Sequence, residues 1–439
     1  MTIKVAYDIS MIAKYYSRSN FQTFGIFRVI EEILRHMIGL DDIELTTTRL
    51  CEDLLGPDYA YNSLSYFFYL NDRKDWLTCK FANPFESRLG FADLYRMIYT
   101  AYYSEVFEST RLPLHYFPIK LLRKILSYAQ KVDVCPSSNM RGFDIFHSTY
   151  CKLPPEDSAH KILRILTIYD LIPIVTPHYV TPKVTALFQD ILSSINIEKD
   201  WVICISEYTK HELCHHMNMS PDRVFVVPLA AAQHFHPVKD SAHISQVRQQ
   251  YGIPEGDYFL SLATLQPRKN LAHLIHAFDQ LLLFQPNLDL HLILVGAIGW
   301  MHEDILAAST RSEQLRSKVI FTGYVPDQDL SAIYSKAKAF VYPSLYEGFG
   351  LPPLEAMQCG VPVIASNTTS LPEVIGDAGI MVDPLDLDAL CQAMLKLATD
   401  STLCQELGQK GLARSQHFSW IKSAENTAEI YRKIAHTKG

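Results

Sequence analysis

Residues 344–356 read SLYEGFGLPPLEA, and this stretch governs how the rest of the chain is read. It sets two carboxylates, Glu347 and Glu355, on either side of a glycine-containing turn that opens a helix. Gly348 and Gly350 carry no Cβ, so backbone N–H groups there can approach a ligand closely. Pro352 and Pro353 fall in the first helical turn, where proline costs little. The orphan N–H groups of that helix start, with the dipole behind them, form an anion site. A diphosphate flanked by two hydroxyl-bearing sugars suits these parts; an ordinary loop-to-helix junction with an exposed acid is the competing reading.

Outward from this stretch, short β-rich runs alternate with helical patterns, the signature of parallel sheets joined by crossover helices and so of an α/β fold. Strands are expected at 3–9, 144–147, 162–169 and 201–206, and again at 258–263, 290–295, 318–321, 339–342, 362–365 and 380–382. Helices are expected at 270–284, 330–336, 385–398 and 420–435. The two halves meet in VVPLAAAQHFHPV (226–238), followed by a polar segment, 239–256, without a strong apolar period. The expected division is a first domain 1–232, a second domain 233–419, and a terminal helix 420–439 returning to the first domain. Residues 40–134 are rich in Tyr and Phe and long for a connector. Within them LPLHYFPIKLLRKILSYAQK (112–131) reads either as an interfacial membrane helix, giving peripheral membrane association, or as a helix packed on its own domain.

A chain of 439 residues exceeds what one core usually supports, so two or three domains are expected. Hydrophobic content of 48% with 20% charged residues fits a folded chain. A net charge of −7 argues against a nucleic-acid partner held by phosphate neutralisation. The nine cysteines are scattered and odd in number, as expected in a reducing compartment. Neither a signal peptide nor a membrane-spanning run is expected, and the localisation read from this is cytoplasmic.

The second half carries most of the chemistry. TLQPRKN (264–270) follows a strand, so Arg268 and Lys269 stand at a strand's carboxyl end, where α/β sheets bind ligands. Arg grips a phosphate through two N–H groups and Lys adds a compact charge, so the pair can neutralise a leaving diphosphate without a metal or other cofactor. VGAIG (295–299), with Gly296, and GYVPD (323–327) end two further strands, and each alone reads equally well as a plain turn.

In order, PRKN, VGAIG, GYVPDQDL, YPSLYEGFGLPPLEAMQCGVPVIAS and LPEVIGDAGIMVDP resemble the nucleotide-sugar domain of retaining GT-B glycosyltransferases of the group 1 family (family four). The resemblance runs from about residue 258 to the end and implies two Rossmann-like domains facing across a cleft. It implies that Glu355 holds the ribose hydroxyls, that Glu347 sits by the donor-sugar hydroxyls, and that Phe349, Gly350 and Leu351 offer backbone N–H groups to the sugar or diphosphate. Lys269 matches the family's phosphate-binding lysine, and Val325 faces the base. The family often has an arginine five residues before that lysine; here the position is Thr264, and Arg268 is the substitute.

The first half matches less closely. Gly25, in FQTFGIFRV, resembles the glycine loop after strand one that approaches the donor phosphate, and Arg28 stands within reach of phosphate or acceptor. Family members commonly carry a histidine before an Asp-Leu pair; this chain has Tyr169 there, followed by Asp170. Asp170 either accepts the acceptor hydroxyl proton or holds its loop in an Asx turn. His147, ending another strand, is a second acceptor-side candidate, and Ser206 reads as a helix N-cap.

One motif competes. HELCH (211–215) fits the zinc-protease pattern, with His211 and His215 as ligands and Glu212 as base. The reading adopted is a metal-independent retaining hexosyltransferase. Its donor is a GDP-, UDP- or dTDP-linked sugar and its acceptor a saccharide or lipid-linked saccharide, with mannosyl transfer in surface-polysaccharide synthesis as the family-level expectation. The alternatives are a catalytically inactive nucleotide-sugar-binding protein and a zinc metallohydrolase.

Overall fold

The computed structural model describes residues 2–11, 25–48, 80–81, 142–154 and 162–438. Residues 112–131, and with them the choice between a membrane-facing and a packed helix, lie outside the described residues. Among the described residues no helix is long and apolar enough to cross a membrane.

Among the described residues, seven parallel strands form the first sheet: β1 (Ile3–Asp8), β2 (Ile43–Thr48), β3 (Lys80–Phe81), β4 (Ile145–Ser148), β5 (Leu163–Ile168), β6 (Trp201–Cys204) and β7 (Val224–Val226). Their order is β3-β2-β1-β4-β5-β6-β7. The second sheet contains β8 (Asp257–Leu262), β9 (Leu290–Val295), β10 (Val319–Gly323), β11 (Ala339–Tyr342), β12 (Val363–Ser366) and β13 (Gly379–Val382), ordered β10-β9-β8-β11-β12-β13. Both are doubly wound, and the direction of winding reverses between β1 and β4 and between β8 and β11. At each reversal the connections leave on opposite sides and open a crevice beyond the strand ends. The central strands are apolar and buried along their length, as in β11 (AFVY) and β12 (VIAS), because helices cover both faces.

The helices that matter to the site are α1 (Ile26–Met37), α2 (Glu207–Met217), α3 (Ser241–Gln250), α4 (Leu271–Phe284), α5 (Asp327–Lys336), α6 (Leu351–Gln358), α7 (Leu371–Ile375) and α8 (Trp420–Ala435). Ser206 caps α2, its Oγ accepting from the Thr209 N–H at 3.1 Å. The polar run 239–256 contains α3, capped by Asp240, which accepts from the N–H groups of Ala242 and His243 at 3.0 and 3.2 Å. Only Ile244, Val247 and Arg248 of α3 are buried, which is why its apolar period is faint in the sequence.

Helix α8 packs on α1 and β1 of the first half. Ser423 Oγ donates to the Pro228 carbonyl at 2.6 Å, and Arg432 pairs with Asp42 at 2.6 and 3.0 Å. This helix also accounts for His147. The imidazole is 3% exposed, with Nδ1 2.6 Å from Tyr431 Oη and Nε2 2.8 Å from Thr167 Oγ1. Burial pushes its pKa down to about 3, so the ring is a neutral core group. The expectation of His147 on the acceptor side is corrected: it faces α8, not the cleft between the sheets.

Tyr431→Phe leaves Nδ1 of this ring buried without its partner. We expect a loss of about 1–3 kcal/mol of stability, read by urea denaturation. An unchanged midpoint would show that the bond contributes nothing.

Candidate active site

The site grows from the carboxyl ends of β8 and β11, the two strands that flank the reversal in the second sheet. After β8 the chain makes a tight turn at Pro267–Lys269 and enters α4 through Asn270, which adopts the left-handed conformation (φ 56°). That turn aims two cations at the loop after β11. Lys269 Nζ lies 2.7 Å from Glu347 Oε1 and 2.6 Å from Tyr342 Oη, and Arg268 Nη1 lies 3.0 Å from the same Glu347 oxygen. Ser344 Oγ donates to it at 2.5 Å. The loops are tied through the backbone as well, Leu345 N–H donating to Arg268 O at 2.8 Å.

Glu347 is 8% exposed. Burial alone would raise its pKa, but the Arg268 and Lys269 charges and the bonds from Lys269 and Ser344 overcome that and hold it at about 2. Lys269 is pushed down to about 8 by burial and by Arg268, against the pull of Glu347. At neutral pH two cations therefore face one carboxylate.

The turn after Glu347 is shaped by what its glycines lack. A Cβ on Gly348 would overlap the Tyr169 carbonyl oxygen and stand 2.9 Å from Asp170 Cβ, so this position presses directly on the first half. Gly350 precedes α6 with φ 119°, a conformation that side chains disfavour. One expectation needs correcting here. Pro352 and Pro353 remove two of the N–H donors that a helix start would supply. The open donors lie one step earlier: Phe349, Gly350 and Leu351 N–H groups have no protein acceptor among the described residues. Ser370 Oγ, 2.8 Å from the carbonyls of Glu347 and Phe349, braces the turn from behind.

Deeper in the second half, Glu355 on α6 is 6% exposed and accepts from Tyr334 Oη at 3.2 Å. Arg28, from α1 of the first half, reaches across to Glu355 Oε1 at 3.2 Å and pairs with Asp327. Burial pushes Glu355 up to about 7 despite Arg28, and the neighbouring Asp327 charge adds to the rise.

These groups line one cleft of about 420 Å³ between the two halves. It brings together every predicted catalytic residue (Glu347, Lys269, Arg268, Asp170) and the donor-side positions Gly25, Thr264, Gly296, Val325, Gly348, Phe349, Gly350, Leu351 and Glu355. Arg28 and Tyr169 line it as well. Asp170 does form the Asx turn, Oδ1 accepting from Ile172 N–H at 3.0 Å, and its carboxyl still faces the cleft. Burial raises its pKa against the pull of that N–H and of Arg268.

Sequence reasoning passed over Asp327, Tyr342, Ser344 and Gln266. All four lay within quoted motifs, but their partners are set by the fold. The zinc reading is not supported. His211 and His215 are exposed, Glu212 is bonded by Tyr346 and by Tyr208 Oη at 3.2 Å, and among the described residues no three His, Cys, Asp or Glu side chains are grouped to hold an ion.

Two doubly wound parallel sheets closing on a polar cleft define the GT-B fold. Residues 244–414 match the family model described as glycosyl transferases group 1. The chain is 36% identical over 292 residues to the O-antigen chain mannosyltransferase B of Escherichia coli, a match covering 66% of this chain and 74% of that one. It is 33% identical over 286 residues to the Escherichia coli serotype-specific mannosyltransferase WbdA, a match covering 62% of this chain and 33% of that longer protein. A Rickettsia africae glycosyltransferase shares the fold with a TM-score of 0.63 at 15% identity, covering 99% of this chain and 98% of its own. So does Anabaena HepE, solved with UDP and glucose, with a TM-score of 0.60 at 14% identity, covering 98% and 99%. The chain belongs to the group 1 glycosyltransferase family, and it is a hexosyltransferase.

Gly348→Ala forces the 347–351 turn away from Tyr169 and Asp170. We expect turnover to fall by roughly 10²-fold, the scale of a ~1 Å misplacement, with the protein still folded by circular dichroism. Wild-type turnover would show that the close approach is dispensable.

Proposed function

We propose that this chain transfers a mannosyl unit from a nucleoside diphosphate mannose to a saccharide or lipid-linked saccharide of a surface polysaccharide, retaining the anomeric configuration. The Escherichia coli relatives named as mannosyltransferases support the sugar. The observation that carries the mechanism is Glu347 held at 2.7 and 3.0 Å between Lys269 and Arg268 beside the open N–H groups of 349–351. In this reading Glu355 takes the ribose hydroxyls, Val325 packs on the base, and Glu347 orients the donor sugar. Gly25 and Thr264 line the space for the diphosphate, and Gly296 lets its strand end close on the Ala263 carbonyl.

The acceptor oxygen forms the new bond to the anomeric carbon on the face from which the diphosphate leaves. The electron pair of the breaking bond goes with the diphosphate, whose charge Arg268, Lys269 and the backbone donors stabilise. The single hydroxyl proton passes to the departing phosphate oxygen, and Asp170 orients the acceptor by accepting from a neighbouring hydroxyl of the same sugar. Two fixed cations do the work a metal would otherwise do, so no metal or cofactor is required. The site of action is the cytoplasmic face of a membrane that carries the growing polysaccharide.

The direct test is a thermal-shift screen against GDP-mannose, UDP-glucose and dTDP-rhamnose, followed by transfer from the stabilising donor with EDTA present. We expect GDP-mannose to stabilise the protein and EDTA to leave transfer unchanged. Lys269→Ala and Glu347→Ala should each cut kcat by about 10²–10³-fold, the usual cost of removing one transition-state donor. Wild-type rates in both variants would overturn the mechanism.

Glu355 adds a pH signature. Ribose hydroxyls donate to the ionised carboxylate, and the free carboxyl titrates at about 7. Nucleotide affinity should therefore hold above that pH and fall on acidification, approaching about tenfold per pH unit. Calorimetry across the titration should show this slope, and Glu355→Gln should flatten it.

A further inference from the structure

Beside the donor cleft lies a second, smaller cavity of about 180 Å³. Tyr169, Asp170, Gln266 and Arg268 line both, so the two spaces meet at the reacting end of the donor site. Its outer wall is aromatic: Tyr150 and Tyr179 come from the first half and Trp300 from the second. Resting on the reading above, we propose that this cavity is the acceptor subsite, holding the terminal pyranose of the acceptor glycan with one sugar face against Trp300 and Tyr179.

Three observations carry it. Trp300 is 47% exposed, yet its ring is fixed, because Nε1 donates to the Tyr179 carbonyl across the halves at 2.9 Å. The segment that delivers it is rigid too, since Leu265 N–H donates to Ala297 O at 3.0 Å and Gly299 N–H to Leu265 O at 3.1 Å. A large ring held open to solvent, with exposed Ile298 and Met301 beside it, marks a binding surface. A pyranose presents a face of C–H groups, slightly positive, that matches the negative face of an aromatic ring.

Second, Gln266 is 6% exposed and faces this space, and its side-chain amide has no hydrogen-bond partner among the described residues. Its amide atoms are not sealed from solvent, so they stand open to a ligand's polar groups. The amide offers two donors and an acceptor, and sugar hydroxyls, each both donor and acceptor, satisfy all three. Third, the volume is well below the ~300–1,000 Å³ of pockets for drug-sized ligands. It admits one sugar residue and leaves the rest of a glycan to run out past Trp300.

The test uses the full chain with GDP-mannose as donor and α-linked mannobiose as acceptor. Trp300→Ala and Tyr179→Ala should each raise the mannobiose KM by about tenfold, corresponding to ~1.4 kcal/mol of lost acceptor binding. The Kd for GDP and the acceptor-independent hydrolysis of GDP-mannose should stay at wild-type values. Trp300→Phe keeps a ring face and should restore KM to within about threefold of wild type. Unchanged mannobiose KM in both alanine variants, with wild-type transfer intact, would overturn this inference and leave the proposed function standing. An equal loss of GDP affinity would overturn it too, because the residues would then serve the donor. A wild-type protein that moves no mannose would instead sink the proposed function, and this inference with it.

Discussion

Everything at the centre of this molecule depends on one buried carboxylate. Glu347 can stay ionised out of water only because Arg268 and Lys269 stand within 3.0 Å of it, the two cations arriving from the end of β8 and the carboxylate from the end of β11. A buried ion pair is a poor source of stability, but removing one partner strands the other charge at a cost of about 3–5 kcal/mol. The trio therefore acts as a register pin: β8 and β11 must be neighbours, with both loops at their native height, for any of the three to be tolerated. The same arrangement leaves cationic charge in excess of Glu347. A site assembled before the ligand arrives spends no reorganisation energy when negative charge develops on a departing diphosphate.

The second half cannot complete the site alone. Gly348 is a glycine because the Tyr169 backbone occupies the space a Cβ would take, so the turn that carries the open N–H groups is shaped by the opposing sheet. The contact is reinforced on both sides. Glu373 at the start of α7 accepts from the N–H groups of Glu207 and Tyr208 at 2.8 and 2.9 Å, capping α2 from across the cleft. Tyr346 bonds Glu212 on the same helix. The glutamate of the HELCH motif is thus a strut between halves. Arg28 works differently: in the proposed function a ribose would share the Glu355 carboxylate with it, which would link donor binding to the contact between halves.

Much of the second half was legible in the sequence because its parallel strands are near-continuous apolar runs and its loops carry glycine, proline and charge at strand ends. Expected strands at 290–295 and 339–342 match β9 and β11 residue for residue. In the first half β2 (IELTTT) is mostly polar, β3 has two described residues and β7 three, too little for any period to register. The errors at the site share one cause, which is that a residue's partners are set by elements distant in sequence. His147 ends a strand as a ligand-binding histidine would, but its neighbour Tyr431 lies 284 positions away on the returning helix. Trp300 and Tyr179, 121 positions apart, meet only across the cleft. The two prolines are the exception: that they delete N–H donors was readable from the start, and only the helix boundary at Leu351 shows which donors remain.

The departure from the family pattern at Tyr169 gains a physical sense from the same contacts. A histidine there would place a titratable ring between Tyr150 and the cleft; the tyrosine is 7% exposed, packs against the Tyr150 ring at 6.3 Å, and has its hydroxyl pKa raised by burial. Its side chain forms wall, while its carbonyl sets the height of Gly348. In the proposed reaction the group that meets the acceptor is Asp170, one residue on, whose Asx turn fixes it at the junction of the two cavities. Burial raises the Asp170 pKa while Arg268 and Lys269 lower it. Its proton affinity is thus tied to the cations that would receive the diphosphate, and a single electrostatic cluster spans both sides of the bond to be made.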